Sequence, residues 1–207
     1  MVGEAALAAW LASAMPITAC APKLDLTVIA AHLPPTVQST YGLDEIRSLA
    51  ARSGRPLRHE AFGFYLSTFG YRVAVDHRKV AGADCGMIAA EVRLVLGGRL
   101  IEIASDLEHR SCRREVILSH YMLHAQYDDV ALSAYANRAL KELQSRPDAQ
   151  LLGDPGQGDI QDAAATAIKQ VMDEVLRSFD QDRQDALAAA DNDDELRRLS
   201  GVCGRAL

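Results

Sequence analysis

The stretch from Cys112 to Arg146 constrains the fold most, because it contains no glycine or proline. Apolar residues recur along it at helical spacings: Val116, Ile117, Met122, Leu123, Val130, Leu132, Ala136 and Leu140. Steps of three and four residues place such side chains on one side of an α-helix. The pattern therefore predicts one long helix that can bend near Asp128 and ends before Pro147.

A second apolar stripe predicts another long helix from residue 159 to residue 190. Its members are Ile160, Ala164, Ile168, Val171, Val175 and Phe179. Residues 147–158 hold two prolines, three glycines and two aspartates, which is the composition of a linker loop. A short last helix is predicted at residues 191–199, where Asn192 and Glu195 have the spacing of a capping box.

The residues before the long helix contain alternating or β-branched runs that are typical of strands. A strand is expected at residues 24–30, before Pro34-Pro35, and a short helix at residues 44–52. Two hairpins are expected, one formed by residues 62–69 and 71–75 around Gly70, the other by residues 87–96 and 99–104 around Gly97-Gly98.

These elements predict an α+β fold. A small, mainly antiparallel sheet packs on the long helix, and a long C-terminal helix and a short last helix follow. The expected division is a signal peptide or apolar helix at 1–19, an α+β core at 20–146, the linker loop at 147–158, and a helical segment at 159–207 that packs on the core.

The composition is that of a folded globular protein, with 49% hydrophobic and 24% charged residues in a chain of 207. Lys and Arg number 22 against 28 Asp and Glu, giving a net charge of −6. Nucleic-acid-binding proteins normally carry a basic excess instead. No apolar run reaches the roughly 20 residues that a transmembrane helix needs. We therefore expect neither a nucleic-acid partner nor a transmembrane helix.

The N-terminal residues have features of an export signal. Residues 5–15 form an apolar run of signal-peptide length, and residues 12–14 read Ala-Ser-Ala, a small-x-small cleavage pattern. Residues 17–20 also fit a loose lipoprotein processing box, which would place a lipid anchor on Cys20. Against export, no basic residue precedes the run and Glu4 has the opposite charge. The alternative is an alanine-rich helix packed on the domain.

The four cysteines are Cys20, Cys85, Cys112 and Cys203. None lies in a Cys-x-x-Cys pair, which argues against a zinc ribbon or a thioredoxin-type site. An even number at long spacings suits two disulfides in an oxidising compartment, and the alternative is four reduced, buried thiols. Three pairings are open, of which we favour Cys85–Cys112 with Cys20–Cys203. Together with the N-terminal run, the cysteines predict export to the periplasm or cell envelope.

His120 and His124 are separated by four residues on the long predicted helix. This spacing puts both imidazoles on one face, within reach of a single metal ion. The alternative is a pair of partly buried histidines with ordinary hydrogen bonds. Asp128, one further turn along, is too far for the same ion, so we expect it to orient the His124 ring. A third ligand is not identified. Other helical positions further along the chain offer Glu142, Asp173 and Glu174.

Zinc peptidases place a glutamate directly after the first histidine of such a pair, in His-Glu-x-x-His. That glutamate takes a proton from the zinc-bound water. Here the position is occupied by Tyr121. A phenol with a pKa near 10 cannot serve as this base at neutral pH.

Residues 112–124, CRREVILSHYMLH, resemble a family of uncharacterised proteobacterial envelope proteins described as predicted secreted zinc-dependent proteases. In that family a cysteine stands eight residues before the first histidine, as Cys112 does before His120. The preceding residues 91–112, the Cys-Ala-Pro at 20–22, and the acidic run at 191–195 followed by Cys203 also resemble the family. The resemblance covers residues 20 to 203.

The resemblance implies a zincin-like core at residues 20–146, with His120 and His124 as ligands of a zinc cofactor. Tyr121 departs from the family pattern and puts hydrolysis in doubt. The expected function is that of an exported, degenerate metallopeptidase-like protein that acts by binding a metal or a protein or peptide partner. Two alternatives stay open. One is a structural or interaction protein of the envelope without metal, and the other is an active metallohydrolase with a different base.

Overall fold

The protein is described by a computed structural model that covers residues 23–52, 62–79, 86–107, 111–152 and 159–203. The strands are β1 (Lys23–His32), β2 (Thr36–Gln38), β3 (Gly63–Lys79) and β4 (Gly86–Ile103). The helices are α1 (Leu43–Arg52), α2 (Cys112–Gln144), α3 (Asp148–Leu152), α4 (Ile160–Ala190) and α5 (Asp193–Val202). The structure is thus a mixed fold of a small sheet and long helices, as the sequence predicts.

Strand β4 is the centre of the sheet. Strand β3 pairs antiparallel with β4 along its length, from Gly63 opposite Ile103 to Lys79 opposite Gly86. Strands β1 and β2 both run parallel to β4 and follow one another along its other edge. The sheet is therefore mixed, which corrects the expectation of a mainly antiparallel one. Parallel pairing joins segments that are distant in the chain, so the local sequence pattern did not reveal it.

The two expected hairpins are wrong, because β3 continues through Gly70 and β4 continues through Gly97-Gly98. The antiparallel pair is instead β3 with β4. Opposite Ser67 the register shifts, so that this residue faces both Gly98 and Arg99. Gly98 has a φ of 57°, the left-handed conformation found at the first position of a glycine β-bulge. Glycine adopts this conformation without steric strain, so a Gly-Gly pair is compatible with a bulge as well as with a turn.

Helices α2 and α4 pack on one face of the sheet. The core contains alternate residues of β4 and the apolar stripes of both helices. Its buried members include Val92, Leu94, Leu96, Leu132, Ala136, Ala139, Ile168, Met172 and Phe179. Both long helices are confirmed, and each begins at a capping side chain, Ser111 before α2 and Asp159 before α4.

Part of the expected linker is helical. Helix α3 lies within residues 147–158 and buries Leu151 and Leu152. Burial of these two apolar side chains stabilises the helix although prolines and glycines flank it. The remaining linker residues 153–158 lie outside the described part of the chain. The short last helix is confirmed as α5, and the Asn192 side chain accepts hydrogen bonds from the backbone N–H groups of Asp194 and Glu195.

A disulfide joins Cys112, the first residue of α2, to Cys203, the residue after α5. The Cα atoms lie 5.8 Å apart. The expected pairs Cys85–Cys112 and Cys20–Cys203 are therefore wrong. The reason is that α5 lies beside the first turns of α2, a packing of distant segments. Cys20 and Cys85 themselves lie outside the described residues.

The expectations for residues 1–19, including the signal peptide, lie outside the described residues. Across the helices that the structure describes, none combines the length and apolar character needed to cross a membrane.

Candidate metal centre

His120 and His124 lie on neighbouring turns of α2, and their ring centroids are 4.5 Å apart. Both side chains are largely buried, with 9% and 6% of their surface exposed. The i, i+4 spacing places them on one face, as the sequence predicts. This face is directed toward the turn between α4 and α5.

Asp191 completes the cluster from that turn. Its Oδ1 atom lies 2.9 Å from Nε2 of His120 and 3.0 Å from Nε2 of His124. One candidate ligand atom from each residue lies within 4.8 Å of the others. The Asp191 side chain is 48% exposed, so the cluster opens to solvent on this side. Such a group could hold a metal ion.

The hydrogen bonds within the cluster are incomplete. Nε2 of His120 donates to Oδ1 of Asp191. Nε2 of His124 is buried and lies 3.0 Å from the same oxygen, a close contact that is not a well-aligned hydrogen bond. Two imidazole nitrogens thus share one carboxylate oxygen, and buried polar atoms normally have well-formed hydrogen bonds. A cation between the three side chains would be bound by both nitrogens and the oxygen.

The histidines affect the charge of Asp191. Burial alone would raise the pKa of this carboxyl, but its interactions with His120 and His124 lower the pKa well below its usual range. Asp191 is therefore ionised at neutral pH and supplies a negative oxygen beside two imidazole nitrogens. This is a donor set that divalent transition metals accept.

Glu195, in the first turn of α5, approaches His120 from the other side of the ring. Its Oε1 atom lies 3.6 Å from Nδ1 of His120. Both carboxylate oxygens accept hydrogen bonds of 2.7 Å from Arg198, which fixes the orientation of the group. A carboxylate on the second nitrogen of a metal-binding histidine holds the ring and its tautomer in place.

The ring of Tyr121 lies beside both histidine rings, and its hydroxyl is directed toward the start of β3. Its hydroxyl donates a 2.6 Å hydrogen bond to the carbonyl oxygen of Gly63, and burial raises its pKa above 10. A Cβ atom on Gly63 would lie 2.9 Å from the Tyr121 ring, so the glycine makes room for this side chain. The Tyr121 side chain therefore connects α2 to β3 of the sheet.

Asp128 does not have the role expected for it. Its carboxylate accepts hydrogen bonds from Tyr65 (2.7 Å), Ser67 (2.9 Å) and Nε of Arg183 (2.6 Å). These three side chains, on β3 and α4, engage both carboxylate oxygens, so Asp128 is held by them instead of orienting the His124 ring. Asp128 is nearly fully buried, and it links α2, β3 and α4.

A buried arginine extends this network. Arg99, the second residue of the bulge, donates to the Tyr65 hydroxyl at 3.2 Å and to the carbonyl oxygen of Ala125 at 2.5 Å. It also forms a 2.9 Å ion pair with Asp129. The Tyr65 ring in turn contacts the edge of the His124 ring, with 6.3 Å between centroids. The bulge thus positions the part of α2 that carries His124.

The other ligand candidates lie elsewhere. Asp173 accepts a hydrogen bond from Tyr71, Glu174 pairs with Arg146, and Glu142 is exposed on α2. Asp191 was not among the ligand candidates expected from the sequence, although it belongs to the acidic run at residues 191–195.

The fold and the cluster define a mixed α/β protein with a candidate His-His-Asp metal group. The chain matches no protein-family model, no curated protein and no solved structure.

Proposed function

We propose that this protein is an exported metal-binding protein with a degenerate, zincin-like metallopeptidase fold, and that His120, His124 and Asp191 bind zinc. One observation supports the proposal above the others. The Nε2 atoms of both histidines, whose side chains are largely buried, lie within 3.0 Å of the same carboxylate oxygen.

The donor set fits zinc. Two imidazole nitrogens and one carboxylate oxygen are common zinc ligands, and three protein ligands leave a fourth position open. Donors of a tetrahedral zinc ion lie about 3.4 Å apart, as follows from bond lengths near 2.1 Å. The two nitrogen–oxygen distances, 2.9 and 3.0 Å, need to increase by only a few tenths of an ångström. The ion would replace the proton that Nε2 of His120 now donates.

The same surroundings argue against ordinary peptide hydrolysis. Tyr121 occupies the position of the general base, and its hydroxyl donates to Gly63 instead of facing the cluster. Glu195 is held by Arg198 and faces Nδ1 of His120, the nitrogen away from Asp191. General base catalysis is worth about 10²–10⁴ in rate, so we expect metal binding without efficient turnover.

The alternatives have less support. In an interaction protein that never bound metal, nothing would require His120 and His124 to share one environment. Both side chains contact the same oxygen of Asp191. A hydrolase with another base needs a free carboxylate at the cluster, and Glu195 is engaged. Export is supported by the Cys112–Cys203 disulfide, since such bonds form in oxidising compartments. A bound peptide or protein partner would meet the metal from the exposed side of Asp191.

Zinc titration of untagged protein tests the proposal. The variants are His120→Ala and His124→Ala, with His77→Ala as a matched control because His77 is an exposed histidine of β3. We expect stoichiometric binding by the wild type and the control, and loss of the site in each cluster variant. A peptidase assay on zinc-loaded protein should give no chelator-sensitive activity. Equal binding by all four proteins, or efficient chelator-sensitive cleavage, would refute the proposal.

A further inference from the structure

We infer that the Cys112–Cys203 disulfide controls the affinity of the metal centre, so that metal is held tightly only while this bond is oxidised. The inference rests on the proposed zinc site and adds its regulation. Its basis is the position of α5, which carries Glu195, follows directly after Asp191, and is tied to α2 at both ends.

The number of residues between the disulfide and the metal cluster is the same on α2 and on the α5 side. On α2, Cys112 lies eight residues, or about 12 Å of helix, before His120. On the other side, Cys203, directly after α5, lies eight residues beyond Glu195, whose carboxylate faces His120. Helix α5 therefore lies antiparallel to the first turns of α2, with the carboxylates at one end and the disulfide at the other.

The side chains of α5 that the structure describes contribute little buried apolar packing. Each side chain of α5 that the structure describes retains some exposure, and none belongs to the hydrophobic core. The preceding three turns of α4 are similar, since the last buried residue of that helix is Phe179. Segments with few buried apolar contacts open at low free-energy cost. The disulfide removes this freedom on the C-terminal side of Asp191.

Opening the bond is a two-electron step. A dithiol reductant delivers two electrons and two protons to the sulfur atoms, and the sulfur–sulfur bond breaks. Cys112 and Cys203 become thiols, and the dithiol becomes a disulfide. Helix α5 can then leave α2, taking Glu195 from His120 and loosening Asp191. Coupling is reciprocal, so bound zinc must favour the oxidised form by the same factor.

The test compares zinc affinity in wild-type protein and in the double variant C112S/C203S, using competition with a chromophoric chelator. Serine replaces both cysteines in the double variant. No free thiol at positions 112 and 203 can therefore bind zinc in place of a weakened ligand of the cluster. We expect binding to weaken about 10- to 100-fold, the size of effect seen when the outer partners of a metal site are lost. Hydrogen exchange of residues 191–203 should also be faster in the variant without zinc.

Ile46→Val is the control for a general loss of stability. Ile46 is fully buried in α1, away from α5, so this variant should be less stable but should bind zinc as the wild type does. If circular dichroism shows the double variant unfolded, the test uses the wild type alone: its disulfide should need a more reducing dithiol buffer in the presence of zinc than in its absence, and an equal requirement overturns the inference.

The outcomes separate the two proposals. Wild-type binding that weakens when the disulfide is removed supports both. Wild-type binding within twofold of the disulfide-free form overturns the redox inference and leaves the zinc site standing. Absence of zinc binding by the oxidised wild type overturns the proposed function, and the redox inference with it.

Discussion

His120 and Asp191 are 71 residues apart in the chain, and in the folded protein Nε2 of the first donates to Oδ1 of the second at 2.9 Å. The contact brings the residue that follows α4 to the third turn of α2. Because His124 reaches the same oxygen, a local pair of histidines becomes a cluster of three candidate ligands.

Asp191→Asn tests the contribution of the third ligand. An amide keeps a hydrogen-bond acceptor near His120 but loses the negative charge that a divalent cation requires. We expect zinc affinity to fall by at least about 100-fold, beyond the effect typical of an outer partner. Chelator competition measures the change. Asp194→Asn is the matched control, since its side chain is 90% exposed in the same segment. An unchanged affinity in Asp191→Asn would remove Asp191 from the site.

Tyr121→Phe separates a structural role of this tyrosine from a catalytic one. The variant loses the hydrogen bond to Gly63, which should lower the free energy of unfolding by about 0.5–1.5 kcal/mol. Zinc affinity should stay the same, because the hydroxyl is directed toward β3. Denaturant unfolding and zinc titration provide the two readouts. A large loss of zinc binding with no loss of stability would instead assign Tyr121 to the site.

Asp128→Ala should be among the most destabilising single changes on α2. It leaves the buried end of Arg183 without its bidentate partner and the Tyr65 hydroxyl without an acceptor. Breaking one side of a buried ion pair costs about 3–5 kcal/mol. Urea denaturation measures this, with Asp44→Ala as the control because the Asp44 side chain is 99% exposed. A loss as small as that of the control would show that the network does not support the fold.

Tyr71 should ionise unusually late. Burial, together with the hydrogen bond to Asp173 and its charge, raises the pKa of Tyr71 to about 12. A raised folded pKa means that this tyrosine contributes stability that is complete below pH 10 and is lost as pH rises toward 12. Ultraviolet titration of wild type and Tyr71→Phe should differ by one tyrosine that titrates near pH 12. A difference centred at pH 10 would contradict the assignment.

Local patterns in the sequence predicted the elements that depend on local physics. The apolar periodicity of α2 and α4 and the cap at Asn192 were read correctly, since each lies within one segment. The histidine pair was found for the same reason, because a spacing of four residues on a helix decides its geometry.

The remaining features depend on contacts between distant segments. Gly97-Gly98 suits a turn and a bulge equally, and only pairing with β3 selects the bulge. Asp191 and Cys203 reach α2 because α4 returns antiparallel to α2 and α5 continues in that direction along the first turns of α2, which no short pattern specifies. The arginine of the bulge, Arg99, was missed because its burial follows from that pairing.

The zinc content of the untagged protein, purified from an oxidising compartment, shows whether His120 and His124 hold a metal ion. Elemental analysis should find about one zinc per chain in the wild type, as expected for a single tetrahedral site. The double variant His120→Ala/His124→Ala should contain none. Wild-type protein without bound metal, even after incubation with zinc and gel filtration, would contradict the account, as would zinc retained by the double variant.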